Sequence, residues 1–93
     1  MKLNINIVVS IEQADLEAFN ALDILLGETN VNMSHTDLEA RLGKDRFERL
    51  RMSGMFDSEY MDFCKDVVYW ISDLGQRTLS GAIQAGVLPS REV

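Results

Sequence analysis

Long apolar runs are missing from this chain, and so are several residue types that small proteins often lean on. No apolar stretch approaches the ~20 residues of a membrane span. The opening Met1–Asn6 stretch has neither the apolar run nor the cleavage-like site of a signal peptide. Cys64 is the single cysteine, and one thiol cannot close an internal disulfide, which excludes a disulfide-stapled secreted scaffold. Together these absences point to a cytoplasmic protein with no membrane contact. Positive charge is also scarce: nine Lys and Arg stand against fifteen Asp and Glu, a net charge of −6. Nucleic-acid affinity comes mostly from neutralising phosphates, so direct nucleic-acid binding is disfavoured, as is binding to an anionic lipid surface. The same balance suits a basic protein partner.

What is present describes an ordinary globular chain. Of the 93 residues, 46% are hydrophobic and 26% charged, within the usual range for a packed domain. This length fits one domain, taken as residues 1–88, with 89–93 as a short polar tail after Pro89. The expected fold class is mainly α, at the margin of α+β: an N-terminal strand followed by three helices, the third long and central.

The strand is read from alternation. Leu3, Ile5, Ile7 and Val9 fall on one face, and Lys2, Asn4, Asn6 and Val8 on the other. Ser10 and Gln13 have the spacing of a capping box, so a first helix is expected over about residues 11–26, with Ile11, Ala14, Ala18, Ala21, Leu22 and Leu25 inward, a face widened by Phe19 and Leu26. Thr36 and Glu39 repeat that spacing at a second helix, whose buried side is Leu38, Leu42, Phe47 and Leu50; Gly43 interrupts it, which leaves either one helix or two short helical pieces. From Asp57 or Ser58 onward, Tyr60, Cys64, Val67, Ile71, Leu74 and Thr78 recur at spacings of three and four, the seam of a third helix with Trp70 in its most apolar turn.

No catalytic, cofactor or metal site is expected. His35 and Cys64 are each alone; a Cys–His nucleophile needs both at one place, and Cys64 sits on the apolar seam, where cysteine behaves as a small hydrophobe. Zinc needs about four N or S ligands and the chain supplies two. Asp57, Glu59 and Asp62 lack the Asp-x-Asp-x-Asp-Gly spacing of a calcium loop. No acid, base and nucleophile converge, so the chain reads as non-enzymatic.

Two charge features remain. Arg41, Lys44, Arg46, Arg49 and Arg51 form the basic patch, interleaved with Asp45 and Glu48 as helical ion pairs would be. Glu59, Asp62, Asp66 and Asp73 step by helical intervals, which on the third helix makes one acidic stripe, spaced roughly like phosphates on a nucleic-acid strand at about 5–6 Å. That stripe is the expected partner-binding surface.

A strand without a partner leaves backbone groups unpaired. Three remedies exist: a second strand in Thr29–Met33, a homodimer pairing Leu3, Ile5, Ile7 and Val9 across a two-fold axis, or addition to another protein's sheet. The homodimer is favoured as the commonest oligomeric solution. A strand, a helix and a helix dimerised through the strand resemble the ribbon–helix–helix repressors over about half the chain. That resemblance implies a dimeric DNA-binding regulator or antitoxin in which Lys2, Asn4 and Asn6 read base edges. The acidic balance ranks this second. The leading expectation is a small acidic interaction protein, an inhibitor or modulator that mimics nucleic acid to dock on a basic surface of a larger machine. Its size and charge suit a phage or mobile-element product.

Overall fold

The hydrophobic core lies between a layer of helices and one face of a three-stranded antiparallel sheet. The computed structural model describes residues 2–4, 10–29 and 33–91. In order, the elements are β1 (Lys2–Asn4), β2 (Ser10–Glu12), α1 (Gln13–Thr29), β3 (Met33–Ser34), α2 (His35–Leu42), α3 (Lys44–Met52), β4 (Phe56–Met61), β5 (Asp66–Ile71) and α4 (Asp73–Gln84). Helices predominate in a mixed α+β fold, consistent with the mainly helical class expected.

The N-terminal strand finds its partner within the chain. β1 runs antiparallel to β2, with Lys2 opposite Glu12, Leu3 opposite Ile11 and Asn4 opposite Ser10. The expectation that this strand lacks a partner in its own chain is corrected at Leu3, which stands opposite Ile11; Ile5, Ile7 and Val9 lie outside the described residues. Ser10 is extended rather than a cap, because Ser10–Glu12 is drawn into this ribbon and Ile11 into the core. Helix α1 therefore starts at Gln13. It buries Phe19 and Leu22 of the expected face, with Ala18, Leu25 and Leu26 packed against the core, and adds Leu16, whereas Ala14 and Ala21 are exposed. The large side chains bury more apolar area than alanines could, so they fix the helix's rotation.

The second helical region behaves as its sequence implies. Gly43, at φ 86°, ends α2 and precedes α3, a backbone conformation that costs glycine little and other residues more. Leu38, Leu42, Phe47 and Leu50 are all buried. Ser34, rather than Thr36, caps α2, its hydroxyl accepting from the Asp37 amide at 3.2 Å.

The expected third helix does not exist. Its first half is the β4–β5 hairpin, with Phe56 opposite Ile71, Ser58 opposite Tyr69 and Met61 opposite Asp66; its second half is α4. The run Asp66-Val67-Val68-Tyr69-Trp70-Ile71 is β-branched and aromatic, which favours a pleated half-buried strand over a helix. Lys65 takes the left-handed conformation, φ 57°, that turns the chain. Strand order is β3–β5–β4: β3 pairs Met33 with Tyr69 and Ser34 with Val68. β5 is thus central, and β4 is an edge.

Helix α4 packs closely against the hairpin's base. The Ser72 hydroxyl accepts from the Gly75 amide at 3.0 Å and donates to the Gly54 carbonyl at 2.6 Å, capping the helix and tying it to the turn before β4. At Gly75 a Cβ would stand 2.5 Å from the Met55 carbonyl oxygen and 2.7 Å from Ile71 Cγ2. Only glycine permits that approach. Beyond α4, Leu88 is buried, and Arg91 donates to Asp23 at 2.6 Å and to Asn20 on α1. Arg91 thereby ties the C-terminal segment to α1.

Candidate functional site

The basic patch is largely consumed by the fold. Asp15, 3% exposed, receives Arg49 through two bonds (Nε to Oδ2 at 2.8 Å, Nη2 to Oδ1 at 2.9 Å) and Arg46 Nε to Oδ1 at 3.0 Å. Arg49 holds this carboxyl below the usual carboxylate range; burial opposes that shift, and Arg46 adds to it. The clamp joins α1 to α3. Arg51 pairs with Glu48 on its own helix, which lowers the Glu48 carboxyl in turn. Arg49 turns to Asp15 and not to Asp45 on its own helix, because Asp15 offers a buried bidentate acceptor. Arg41 and Lys44 are exposed. Beside the clamp a cleft of about 310 Å³ is lined by Ile11, Asp15, Arg49, Leu50 and Met52 among others.

His35 and Cys64 do not meet as a nucleophilic pair. The His35 ring engages Glu39 through Nε2 and the Tyr69 hydroxyl through Nδ1 at 3.2 Å, and it stands edge-on to Phe47. Cys64 is not on a buried seam but exposed in the hairpin turn, its thiol 3.6 Å from the Met61 carbonyl oxygen. Among the described residues no group of His, Cys, Asp and Glu is arranged to hold a metal ion, and no helix is long and apolar enough to cross a membrane.

The four acidic residues of the expected stripe are exposed, but they do not share a helix face. Glu59 is on β4, Asp62 in the turn, Asp66 at the start of β5, and Asp73 at the start of α4, where Arg77 pairs with it at 3.1 Å. The hairpin gathers the first three and adds Asp57. Alternation along the strands sets their directions. Phe56, Tyr69 and Ile71 face the helices. Asp57, Glu59 and Asp66 share the opposite face with Val68 and Trp70. Trp70, expected in the core, is therefore half-buried.

Toward its tip the hairpin outruns the helix layer. Tyr60, on the inward-facing side, is still 54% exposed, and Phe63 in the turn is 86% exposed. Burial should favour covering such rings. Against Asp57, Glu59, Asp62 and Asp66 the segment offers one cation, Lys65, and none of these carboxylates has an ion pair among the described residues. The hairpin is thus an acidic finger with an aromatic end. Sequence reasoning found its carboxylates through a helical spacing that the backbone does not follow; it missed Asp57 as a member and Phe63 as an exposed ring. The signal for both lay in the six-residue β-branched and aromatic run of β5, which dictates a paired strand on its N-terminal side.

The resemblance to ribbon–helix–helix repressors rested on an open N-terminal strand. With β1 paired to β2 of the same chain, that strand has one edge occupied, and Asn6 lies outside the described residues. No protein-family model, no curated protein and no solved structure matches this chain.

Proposed function

We propose that this chain is a non-enzymatic acidic interaction protein that docks its β4–β5 hairpin on a basic surface of a larger protein, as an inhibitor or modulator. The observation that carries the reading is the hairpin's unneutralised charge. Asp57, Glu59, Asp62 and Asp66 crowd one projecting element beside exposed Tyr60 and Phe63. Elsewhere several acids are paired with arginines, Asp15, Asp23, Glu48 and Asp73 among them, and the isolated unpaired ones among the described residues, Glu17, Asp37 and Asp45, are not gathered on one hairpin. Self-repulsion within a finger is a cost that a cationic partner removes. An aromatic end supplies the apolar anchor that concentrates binding energy. Proteins that handle nucleic acid present basic surfaces of this kind, which makes them the favoured partner class. Because β1 is paired within the chain, the reading works for a single copy and asks for no dimer.

The test compares wild type with D57N/E59Q/D62N/D66N as bait in the native host. All four sites are exposed, so thermal stability should hold to within about 0.5 kcal/mol per site. A basic protein should co-purify with wild type, dissociate as salt rises, and be lost from the neutralised variant. Full retention by that variant refutes the reading. Co-purification of duplex DNA in place of a protein would favour the regulator instead.

A further inference from the structure

Within this reading of the hairpin as the docking element, its edge carries a second kind of information. β4 lies at the margin of the sheet, and its polar backbone groups divide by register. The Ser72 amide donates to the Met55 carbonyl at 3.0 Å, and Phe56 stands opposite Ile71. In an antiparallel ladder this places Asp57, Glu59 and Met61 in the hydrogen-bonded pairs with β5. Phe56, Ser58 and Tyr60 then turn their N–H and C=O groups to the open side. Among the described residues no strand lies on that side, and every residue from Asp57 to Tyr60 is exposed. This is an unfilled backbone ladder about one short strand long.

We propose that the open edge of β4 is a docking strand for an extended partner segment that alternates basic with apolar residues. The ladder supplies the backbone bonds, and the side chains choose the occupant. An antiparallel segment would set alternate residues opposite Asp57 and Glu59 on one face and opposite Ser58 and Tyr60 on the other. Lys or Arg matches the first pair, and apolar or aromatic residues match the ring of Tyr60. A second copy of this chain is a poor occupant. Two β4 edges related by a two-fold axis near Ser58 would bring Asp57 of one copy against Glu59 of the other, and like charges directly opposite are unfavourable. The same carboxylates that invite a basic strand therefore reject self-pairing, which is how edge strands avoid aggregation.

The probe is a capped seven-residue peptide, Lys-Val-Arg-Tyr-Lys-Val-Arg, against a peptide of equal composition in the order Lys-Arg-Lys-Arg-Val-Val-Tyr. Binding to the full chain is followed by fluorescence anisotropy at two salt concentrations. The alternating peptide should bind about tenfold or more tightly than the blocked one. N-methylation separates backbone from charge. The peptide residues opposite Ser58 and Tyr60 are those whose N–H groups face β4. Methylating the Val and Tyr amides should abolish binding, whereas methylating the Lys and Arg amides should leave it. In the protein, Ser58→Pro removes an outward N–H without touching the β5 ladder, a substitution an edge can accept, and it should weaken the alternating peptide as strongly. The N-methyl series on wild type decides the matter even where that variant fails to fold. Equal binding of both orders, or equal tolerance of both methylation patterns, overturns strand addition. If D57N/E59Q still abolishes that binding, docking by charge survives without the ladder. No binding of either peptide also overturns the edge proposal, while the co-purification experiment separately decides the docking reading.

Discussion

Asp15→Asn removes the charge at the centre of the α1–α3 clamp while keeping the shape of the side chain. In the native protein the carboxylate is almost wholly buried and accepts three bonds from guanidinium groups at 2.8–3.0 Å. Asparagine retains one acceptor oxygen and turns an amide N–H₂ toward Arg49, so the bidentate pair is lost. Hydrogen bonds to charged groups contribute roughly 1.5–3 kcal/mol each. With the amide oxygen in the Oδ1 place one bond is lost and the other two lose their anionic acceptor, but both arginines reach solvent, Arg49 with 54% of its side chain exposed, and can rehydrate. The lower end of that range is therefore expected, about 2–3 kcal/mol at neutral pH. The sign of the pH dependence follows from the lowered carboxyl. Its stabilisation is present above the unfolded-state value of about 3.9 and is lost as pH falls through the lower folded-state value. Urea denaturation of both proteins at about pH 7 and about pH 3 should show a gap that narrows in acid. Equal midpoints at neutral pH, or a gap that widens in acid, would refute the clamp.

Two further outcomes test the packing around the hairpin. Gly75→Ala should lower stability by about 1–3 kcal/mol in thermal unfolding, because the new methyl meets the Met55 carbonyl oxygen and Ile71; a gain from better helix propensity alone would contradict it. Ser72→Ala should cost about 1–2 kcal/mol, since it leaves the Gly75 amide uncapped and the Gly54 carbonyl without its donor, and a two-state chemical denaturation curve reads this directly.

Legibility in the sequence varied with how local the determining signal was. The two helices about Gly43 follow from apolar spacing and one glycine within the segment itself, although the cap falls on Ser34 and not on Thr36. The β4–β5 hairpin does not. Its turn, Asp62-Phe63-Cys64-Lys65, contains no Gly, Pro or Asn, and the left-handed position falls on Lys65, so nothing marks a reversal. Tyr60, Cys64, Val67 and Ile71 then satisfy a helical repeat by coincidence, while the inward residues Val67, Tyr69 and Ile71 obey a period of two. β3 is only two residues long and is specified by its distant partner, not by propensity. The acidic character of the site was visible as composition; its shape depended on which strands paired.

The rings around Phe47 bear on errors in that pairing. Phe47 meets His35, Phe56 and Tyr69 nearly edge-on, at centroid distances of 5.0, 5.7 and 5.3 Å, and Phe56 meets Phe19 at 5.4 Å. Each ring comes from a different element: α1, α2, α3, β4 and β5. A strand that slips by one residue sends its inward side chains to the other face. A slipped β4 would withdraw Phe56, and a slipped β5 would withdraw Tyr69. Either leaves Phe47 without an edge-to-face contact that aromatic pairs make favourable by roughly 0.5–1.5 kcal/mol beyond burial. The cluster thus works as a proofreading device, checking five segments at one point. The ladder that β4 presents outward is in phase when Phe56 sits between Phe19 and Phe47.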